Sequence, residues 1–146
     1  RGRKLLLVKR LRPPEAGHWG LPGGKVDWLE PLPDAVAREV DEELGLAIRP
    51  RHLLCVVDQI NRERGEHWVA PVYLVEDAEG EPRVLESAAL AECGWFALDA
   101  LPEPPLLEEY PRVRPLVEGT GPLNKMLTES GLGYDANELL AESKRG

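Results

Sequence analysis

Residues 20–46 have the sequence GLPGGKVDWLEPLPDAVAREVDEELGL, in which a glycine-rich loop leads into a strongly acidic helical pattern. Apolar residues recur along it at helical spacing, at Val36, Val40 and Leu44. This spacing predicts an amphipathic helix that packs on a sheet. We expect the helix to begin near Pro33 or Asp34, candidates for its first residue and its N-cap. Gly45, in the C′ position, predicts that it ends at Leu44.

The acidic side chains of this helix fall on a face of their own. At about 100° per residue, Glu39, Glu42 and Glu43 share one stripe, called here the acidic stripe, and Asp41 points nearly opposite. Like charges at this spacing cost roughly 0.2–0.5 kcal/mol each, and acids near the C-terminal dipole roughly 0.3–1 kcal/mol more. The alternative to a functional site is that these acids form an ordinary solvated surface. The neighbouring GLPGG favours a site, because glycines can leave peptide groups exposed beside carboxylates, a setting that suits Mg²⁺ or Mn²⁺ with phosphate oxygens.

The composition limits the class of protein. With 146 residues, 42% of them apolar, we expect a single domain over 1–146. The net charge of −8 argues against a nucleic-acid polymer as partner, although not against a small phosphorylated ligand. No apolar run is long enough for a membrane span, so we expect a cytoplasmic protein, with a homodimer as one oligomeric option. Cys55 and Cys93 lie in apolar stretches, which predicts buried reduced thiols.

Outside the acidic helix the chain is rich in strand patterns. The apolar, β-rich runs are residues 4–10, 52–61, 67–77 and 93–98. RERGE between the second and third runs predicts a hairpin turn. Strands and helices in this order predict an α/β layered sandwich. The segment 112–146 contains short helical patterns and no motif that indicates its role.

The spacing of the fixed residues carries a resemblance to a known family. Gly24 is followed by five residues, Glu30, seven residues and then REVDEELGL over 38–46. This resembles the signature of Nudix (MutT-like) hydrolases, G-x5-E-x7-R-E-U-x-E-E-x-G-U with U aliphatic, and every fixed position is filled. The resemblance covers roughly residues 4–101. It implies a Nudix-type α/β/α sandwich with a mixed β-sheet and a loop-helix-loop catalytic motif over Gly24–Leu46.

The resemblance also implies roles for the residues of the acidic stripe. Glu39 and Glu43 would be the principal ligands of Mg²⁺ or Mn²⁺, and the Gly24 carbonyl another ligand. Glu42 would be a further ligand or the general base, so the three glutamates form the expected catalytic set. The family often has Gly before the first signature Glu, where this chain has Leu29.

Other acids and one arginine take supporting roles by the same resemblance. Glu30 and Arg38 would form a salt bridge that orients the helix. A carboxylate from a later loop often joins the metal site, with Glu86 and Glu92 as candidates. We favour Glu86, because Glu92 borders a strand and suits an exposed surface.

Basic and aromatic residues near the signature are candidates for substrate binding. Arg10, Arg12 and Lys25 could hold phosphates by charge-assisted hydrogen bonds, or could be ordinary surface residues. The candidates for stacking on a base, or alternatively for the core, are Trp19, Trp28, Trp68 and Tyr73. Trp28 is the most interesting of these, because it lies in the loop that enters the helix.

The resemblance implies hydrolysis of a nucleoside diphosphate linked to another moiety, by water attack on phosphorus. The substrate we expect is a (d)NTP, cleaved to (d)NMP and pyrophosphate, because WGLPGG resembles the nucleoside-triphosphate branch. One alternative is a pyrophosphatase for ADP-ribose or a nucleotide sugar, although the Pro typical of that branch after the signature is absent. A catalytically silent nucleotide sensor is another alternative, which the intact glutamates disfavour.

Overall fold

The computed structural model describes residues 4–13, 15–75, 77–97 and 99–104. These residues belong to one compact unit, which spans Arg1–Tyr110. Segment 112–146 lies outside the described residues, so the single domain over 1–146 stays a prediction. No helix in the described part is long and apolar enough to cross a membrane.

A three-stranded antiparallel sheet is built around the first strand. Its strands, in spatial order, are β2 (Trp19–Gly20), β1 (Lys4–Arg10) and β7 (Leu90–Ala97). The register pairs Val8 with Gly20 on one side and with Cys93 on the other. Leu7 and Val8, at the centre of β1, are both buried, and the bounds of β1 agree with the sequence prediction.

The predicted hairpin is confirmed. It consists of β4 (His52–Asn61) and β5 (Glu66–Leu74), paired antiparallel from the His52–Leu74 end to the Asn61–Glu66 end. Two short strands, β3 (Ala47–Ile48) and β6 (Ala78–Glu79), form a second antiparallel pair. All strand pairs among the described residues are antiparallel.

The acidic helix, α1 (Leu32–Leu44), begins earlier than the sequence predicts. Pro31 is the residue at its N-cap, and Asp34 lies inside the first turn rather than at the cap. Pro33 fits within the first turn of this helix, because proline has a suitable φ and lacks only an N–H that the first turn leaves unpaired. The predicted end is confirmed: Gly45 has φ 65° and donates its N–H to the Asp41 carbonyl at 2.8 Å.

A small apolar core fixes α1 against the strands. Its buried members are Val8, Val40, Leu44, Leu46 and Leu90. Burying one such side chain stabilises the fold by about 1.5–3 kcal/mol. Cys55 and Cys93 are thiols rather than a disulfide, as predicted, but they are half-buried rather than buried. Desolvation raises the pKa of the Cys93 thiol. Helix and strands together confirm the α/β class.

Leu29, where the family often has Gly, adopts a left-handed backbone conformation with φ 64° while its residue is 83% exposed. A left-handed residue with a Cβ is strained by about 1–2 kcal/mol. We expect Leu29→Gly to raise the free energy of unfolding by about 0.5–1 kcal/mol, since glycine's greater freedom in the unfolded chain offsets part of the gain. Urea unfolding measures this. Leu29→Ala is the control, because it keeps Cβ and should bring no gain; equal changes in both variants would contradict the explanation.

Candidate active site

The C-terminal half of α1 brings the acidic stripe against the glycine loop. Glu43 lies on the inner side of the helix and is 8% exposed, whereas the Glu42 side chain is 50% exposed. Glu39 is half-buried, and Asp41 is exposed. The three stripe carboxylates therefore differ in solvent exposure, which increases from Glu43 through Glu39 to Glu42.

Glu43 is the buried carboxylate of the site. Its Oε2 accepts a hydrogen bond from the Gly23 N–H at 3.0 Å. Burial raises its pKa to about 7, and this rise is the balance of several effects. The Gly23 hydrogen bond and the charge of Arg10 lower the pKa, whereas the charges of Glu39 and Glu86 raise it. Two further carboxyl groups, one from α1 and one from a later segment, thus interact with Glu43.

Gly24 allows the loop to approach Glu39 closely. A Cβ at position 24 would collide with the carboxylate of Glu39, so the carboxylate occupies the space that any larger residue would fill. The Glu39 carboxylate would therefore have to move to admit any larger residue at position 24. The GLPGG pattern indicated such backbone exposure, but the N–H of Gly23 as a partner of Glu43 was missed.

Arg38 is the principal counter-charge of the site. Its guanidinium donates to both carboxylate oxygens of Glu30, at 2.8 and 2.9 Å. It also donates to Glu39 at 3.0 Å and Glu42 at 3.1 Å, and to the Lys25 carbonyl at 2.9 Å. The hydrogen bonds to Glu30 and Glu39 raise the pKa of Arg38. One planar side chain therefore ties the helix, the loop and the acidic stripe together.

Glu30 is held in its ionised form by the same network. The hydrogen bond from Arg38, followed by one from the Asp27 N–H at 2.9 Å, lowers the pKa of Glu30 to about 2. The structure thus contains the Glu30–Arg38 ion pair expected from the resemblance. The pair holds the loop before α1 in place.

Of the two later carboxylates, Glu86 lies near the acidic stripe. The Leu85 N–H donates to the Glu43 carbonyl at 2.8 Å, and the Glu86 carbonyl accepts the N–H groups of Ala89 and Leu90 at 2.9 Å. These bonds hold Glu86 in a turn beside the end of α1. Glu92 instead forms an exposed ion pair with Lys9 at 3.1 Å, the surface position expected of it.

The basic candidates differ in their surroundings. Arg10 pairs with Glu15 at 3.1 Å, and its buried Nε has no hydrogen-bond acceptor among the described residues. Glu15 was missed, because no motif marks it. Arg12 donates to the Ala88 carbonyl at 3.1 Å, which links two loops. The charge of Arg10 also reaches Glu43, where it lowers the pKa of the carboxyl group.

The aromatic candidates are separated by burial. Trp19 belongs to the core, where its ring meets Phe96 edge-on at 5.0 Å, so it is not a stacking surface. Tyr73 is half-buried. Trp28 is 90% exposed in the loop before α1, and Trp68 is exposed on β5 beside Lys25.

Comparison with known proteins identifies the family. The family model for the NUDIX domain matches residues 1–118. The chain belongs to the Nudix family. A MutT NUDIX hydrolase from Burkholderia pseudomallei, known from a crystal structure, is 56% identical, with a TM-score of 0.72 over 81% of this chain and 88% of that one. The Nudix-type α/β sandwich predicted from the sequence is thereby confirmed.

Curated relatives differ in the activity that their names give. An ADP-ribose pyrophosphatase from Methanocaldococcus jannaschii is 36% identical over 100 residues, which are 68% of this chain and 58% of the relative. A human protein named 8-oxo-dGDP phosphatase is 32% identical over 103 residues, which are 69% of this chain and 30% of the relative. The Nudix chain thus spans less than two thirds of the length of these relatives.

Nudix hydrolases generally use a divalent metal, and the donor chemistry of this site suits one. The donors are carboxylate and carbonyl oxygens, and the carboxylates outnumber the neighbouring guanidinium groups of Arg10 and Arg38. In the arrangement described, no three His, Cys, Asp or Glu side chains converge closely enough to enclose an ion. Arg38 instead donates hydrogen bonds to Glu39 and Glu42. The oxygen-rich residues fit a hard cation that competes with Arg38 for these oxygens.

Proposed function

We propose that this Nudix chain is a divalent-metal-dependent pyrophosphohydrolase that cleaves a nucleoside diphosphate linked to another moiety. The substrate we favour is a (d)NTP, hydrolysed to (d)NMP and pyrophosphate. The observation that carries the proposal is the set of acids at the glycine loop: Glu43 accepts the Gly23 N–H, Glu39 lies against Gly24, and the charge of Glu86 reaches Glu43. Such an excess of negative charge is unfavourable by itself and suits a cation-assisted reaction of an anionic substrate.

The proposed ligands of Mg²⁺ or Mn²⁺ are Glu39, Glu43 and the Gly24 carbonyl, with Glu42 and Glu86 as further oxygen donors. A cation bound there would neutralise phosphate charge and increase the acidity of a water molecule. The raised pKa of Glu43 means that its proton must leave before the carboxylate can act as a ligand. We propose Glu42, the most exposed acid of the stripe, as the general base.

Basic residues supply the proposed phosphate contacts. Arg10 Nε has no acceptor in the part of the chain that the structure describes, and the charge of Arg10 reaches Glu43. A phosphate oxygen would therefore give its guanidinium a strong partner. Lys25 follows the glycine loop directly and could contact the same phosphates. Arg12 and Trp28 are further substrate-contact candidates at the rim. Arg38 and Glu30 hold the helix and the loop in their relative positions and need not touch the substrate.

Two other substrate types follow from the names of the relatives. ADP-ribose is favoured by the archaeal relative, and an oxidised guanine nucleotide by the human one. A panel of dGTP, 8-oxo-dGTP, 8-oxo-dGDP, ADP-ribose and a nucleotide sugar, each with Mg²⁺ or Mn²⁺, would separate these activities by mass spectrometry of the products. We expect pyrophosphate from the triphosphates. If ADP-ribose alone is hydrolysed, to AMP and ribose 5-phosphate, the result would favour an ADP-ribose pyrophosphatase. No turnover of any compound would contradict the proposal.

We expect hydrolysis to stop in EDTA and to recover with excess Mg²⁺ or Mn²⁺, because the stripe and the substrate are both anionic. The metal should also raise the melting temperature, since it binds the folded site. In Glu43→Gln this rise should be much smaller, which ties it to the stripe. Undiminished turnover after complete removal of divalent metal would contradict the mechanism.

A further inference from the structure

Lys25 and Trp68 meet beside the acidic stripe. The Lys25 ammonium lies 5.2 Å from the centroid of the Trp68 ring. Lys25 follows Gly24 directly, and its carbonyl accepts a hydrogen bond from Arg38 at 2.9 Å. This contact therefore joins β5 to the loop against which the Glu39 carboxylate rests.

The Trp68 indole remains a large apolar surface in contact with water. Trp68 is 48% exposed although it lies within a nine-residue strand. Trp19, by contrast, is buried against Phe96, so the chain does use tryptophan in its core. An exposed indole face offers a stacking surface that any nucleobase can use.

The lysine on this ring can exchange one partner for another. A cation–π contact at an exposed site is weak, whereas a charge-assisted contact with a phosphate oxygen is stronger. Phosphates bound at the stripe would therefore attract the Lys25 ammonium and uncover part of the Trp68 ring. A nucleotide supplies both groups from one molecule, because its sugar joins the base to the phosphates.

We propose that Trp68 is the surface on which the nucleobase of the substrate stacks, and that Lys25 moves from the indole to the phosphates when the nucleotide binds. This inference rests on the proposed function and names the part of the substrate that the chain recognises. Since stacking depends on ring overlap, purine nucleotides should bind more tightly than pyrimidine nucleotides.

The test compares ligands with and without a base. Dissociation constants of GMP and of inorganic pyrophosphate are measured by calorimetry with Mg²⁺ for wild type, Trp68→Leu and Trp68→Phe. Trp68→Leu should weaken GMP binding about tenfold and leave pyrophosphate binding nearly unchanged, while Trp68→Phe recovers most of the loss. Val69→Ala, at the next position of the same strand and also exposed, should change neither constant.

Kinetics supply a second comparison. For the best substrate of the panel, Trp68→Leu should raise KM by a similar factor and change kcat little, as expected for a residue that contributes binding alone. If Trp68→Leu does not fold, nucleotide-induced quenching of indole fluorescence still tests the idea, because it should be clearly smaller in Trp68→Phe than in wild type.

Several results would overturn the stacking surface. These are unchanged GMP affinity in Trp68→Leu, equal weakening of GMP and pyrophosphate, equal quenching in wild type and Trp68→Phe, and no GMP binding by wild type. The proposed function fails separately: a wild type that binds GMP through Trp68 but hydrolyses no compound keeps the surface and loses the activity.

Discussion

Glu43→Gln is expected to lower kcat at least about a hundredfold, a loss of about 2.7 kcal/mol of transition-state stabilisation. The substitution keeps the shape of the side chain and leaves an oxygen that can accept the Gly23 N–H, but it removes the charge of the deepest carboxylate. Steady-state kinetics with Mg²⁺ on the best substrate measures the effect.

Asp41→Asn is the matched control, because it makes the same charge change on the same helix. Asp41 is exposed, and its carbonyl, which accepts the Gly45 N–H, is unaffected by the substitution. Its activity should stay within about twofold of wild type, as is usual for a surface substitution that touches no functional group. Equal losses in the two variants would show that the functional face of α1 has been misassigned.

The stability of Glu43→Gln should change in the opposite direction to its activity. Folding raises the pKa of Glu43 from its ordinary value of 4.5 to about 7. Between pH 4.5 and pH 7 the folded protein therefore holds a proton on Glu43 that the unfolded chain has lost. Without metal, its contribution therefore falls as pH rises from about 4.5 through about 7 and is flat above. Gln does not titrate, so the variant should lose this slope and be more stable than wild type above pH 7.

Urea unfolding in EDTA at several pH values between 5 and 8 measures this difference. The gain should exceed the roughly 0.3–1 kcal/mol expected from relief of the helix dipole alone, because burial of the charge is the larger effect. A Glu43→Gln protein that is less stable at pH 8, with activity retained, would indicate a structural rather than a metal-binding carboxylate.

Arg38→Lys should lower activity about a hundredfold although the charge is retained. The lysine ammonium cannot reproduce the planar fork that holds both oxygens of Glu30 together with Glu39 and the Lys25 carbonyl. The loop and the acidic stripe then lose their relative positions. A shift of about 1 Å in catalytic groups can reduce rates by that factor. Kinetics and thermal unfolding are measured together.

Both quantities should fall in Arg38→Lys, which distinguishes it from Glu43→Gln. Arg64→Lys is its control, since Arg64 lies in the hairpin turn and forms an exposed ion pair with Glu66 at 3.3 Å. That variant should keep its activity and its melting temperature. Full activity in Arg38→Lys would mean that a positive charge is sufficient and that the fork has no positioning role.

Local pattern was enough to predict much of the fold. The bounds of β1 and β4 followed from their β-rich apolar runs. The end of α1 before Gly45 followed from the preference of the C′ position for glycine. The common face of Glu39 and Glu43 followed from helical periodicity. Such features depend on residues a few positions apart, so the sequence contains them directly.

Predictions about burial were less successful. The sequence left open whether Trp19 stacks on a base or belongs to the core, and the structure places it in the core. The cysteines were only half-buried. Whether a ring or thiol is covered depends on which other segment crosses it, and neighbouring residues along the chain do not specify that crossing.

The sequence by itself determined the family, the acidic stripe and the positions of Gly24 and Arg38 in the family's signature. Only the tertiary structure brought Glu86 to Glu43 and Lys25 to Trp68. These partners lie far apart along the chain, and the core beneath α1 decides which of them meet. Helical period is an intrinsic property of the backbone, whereas a contact between distant segments exists only when their apolar faces have packed together.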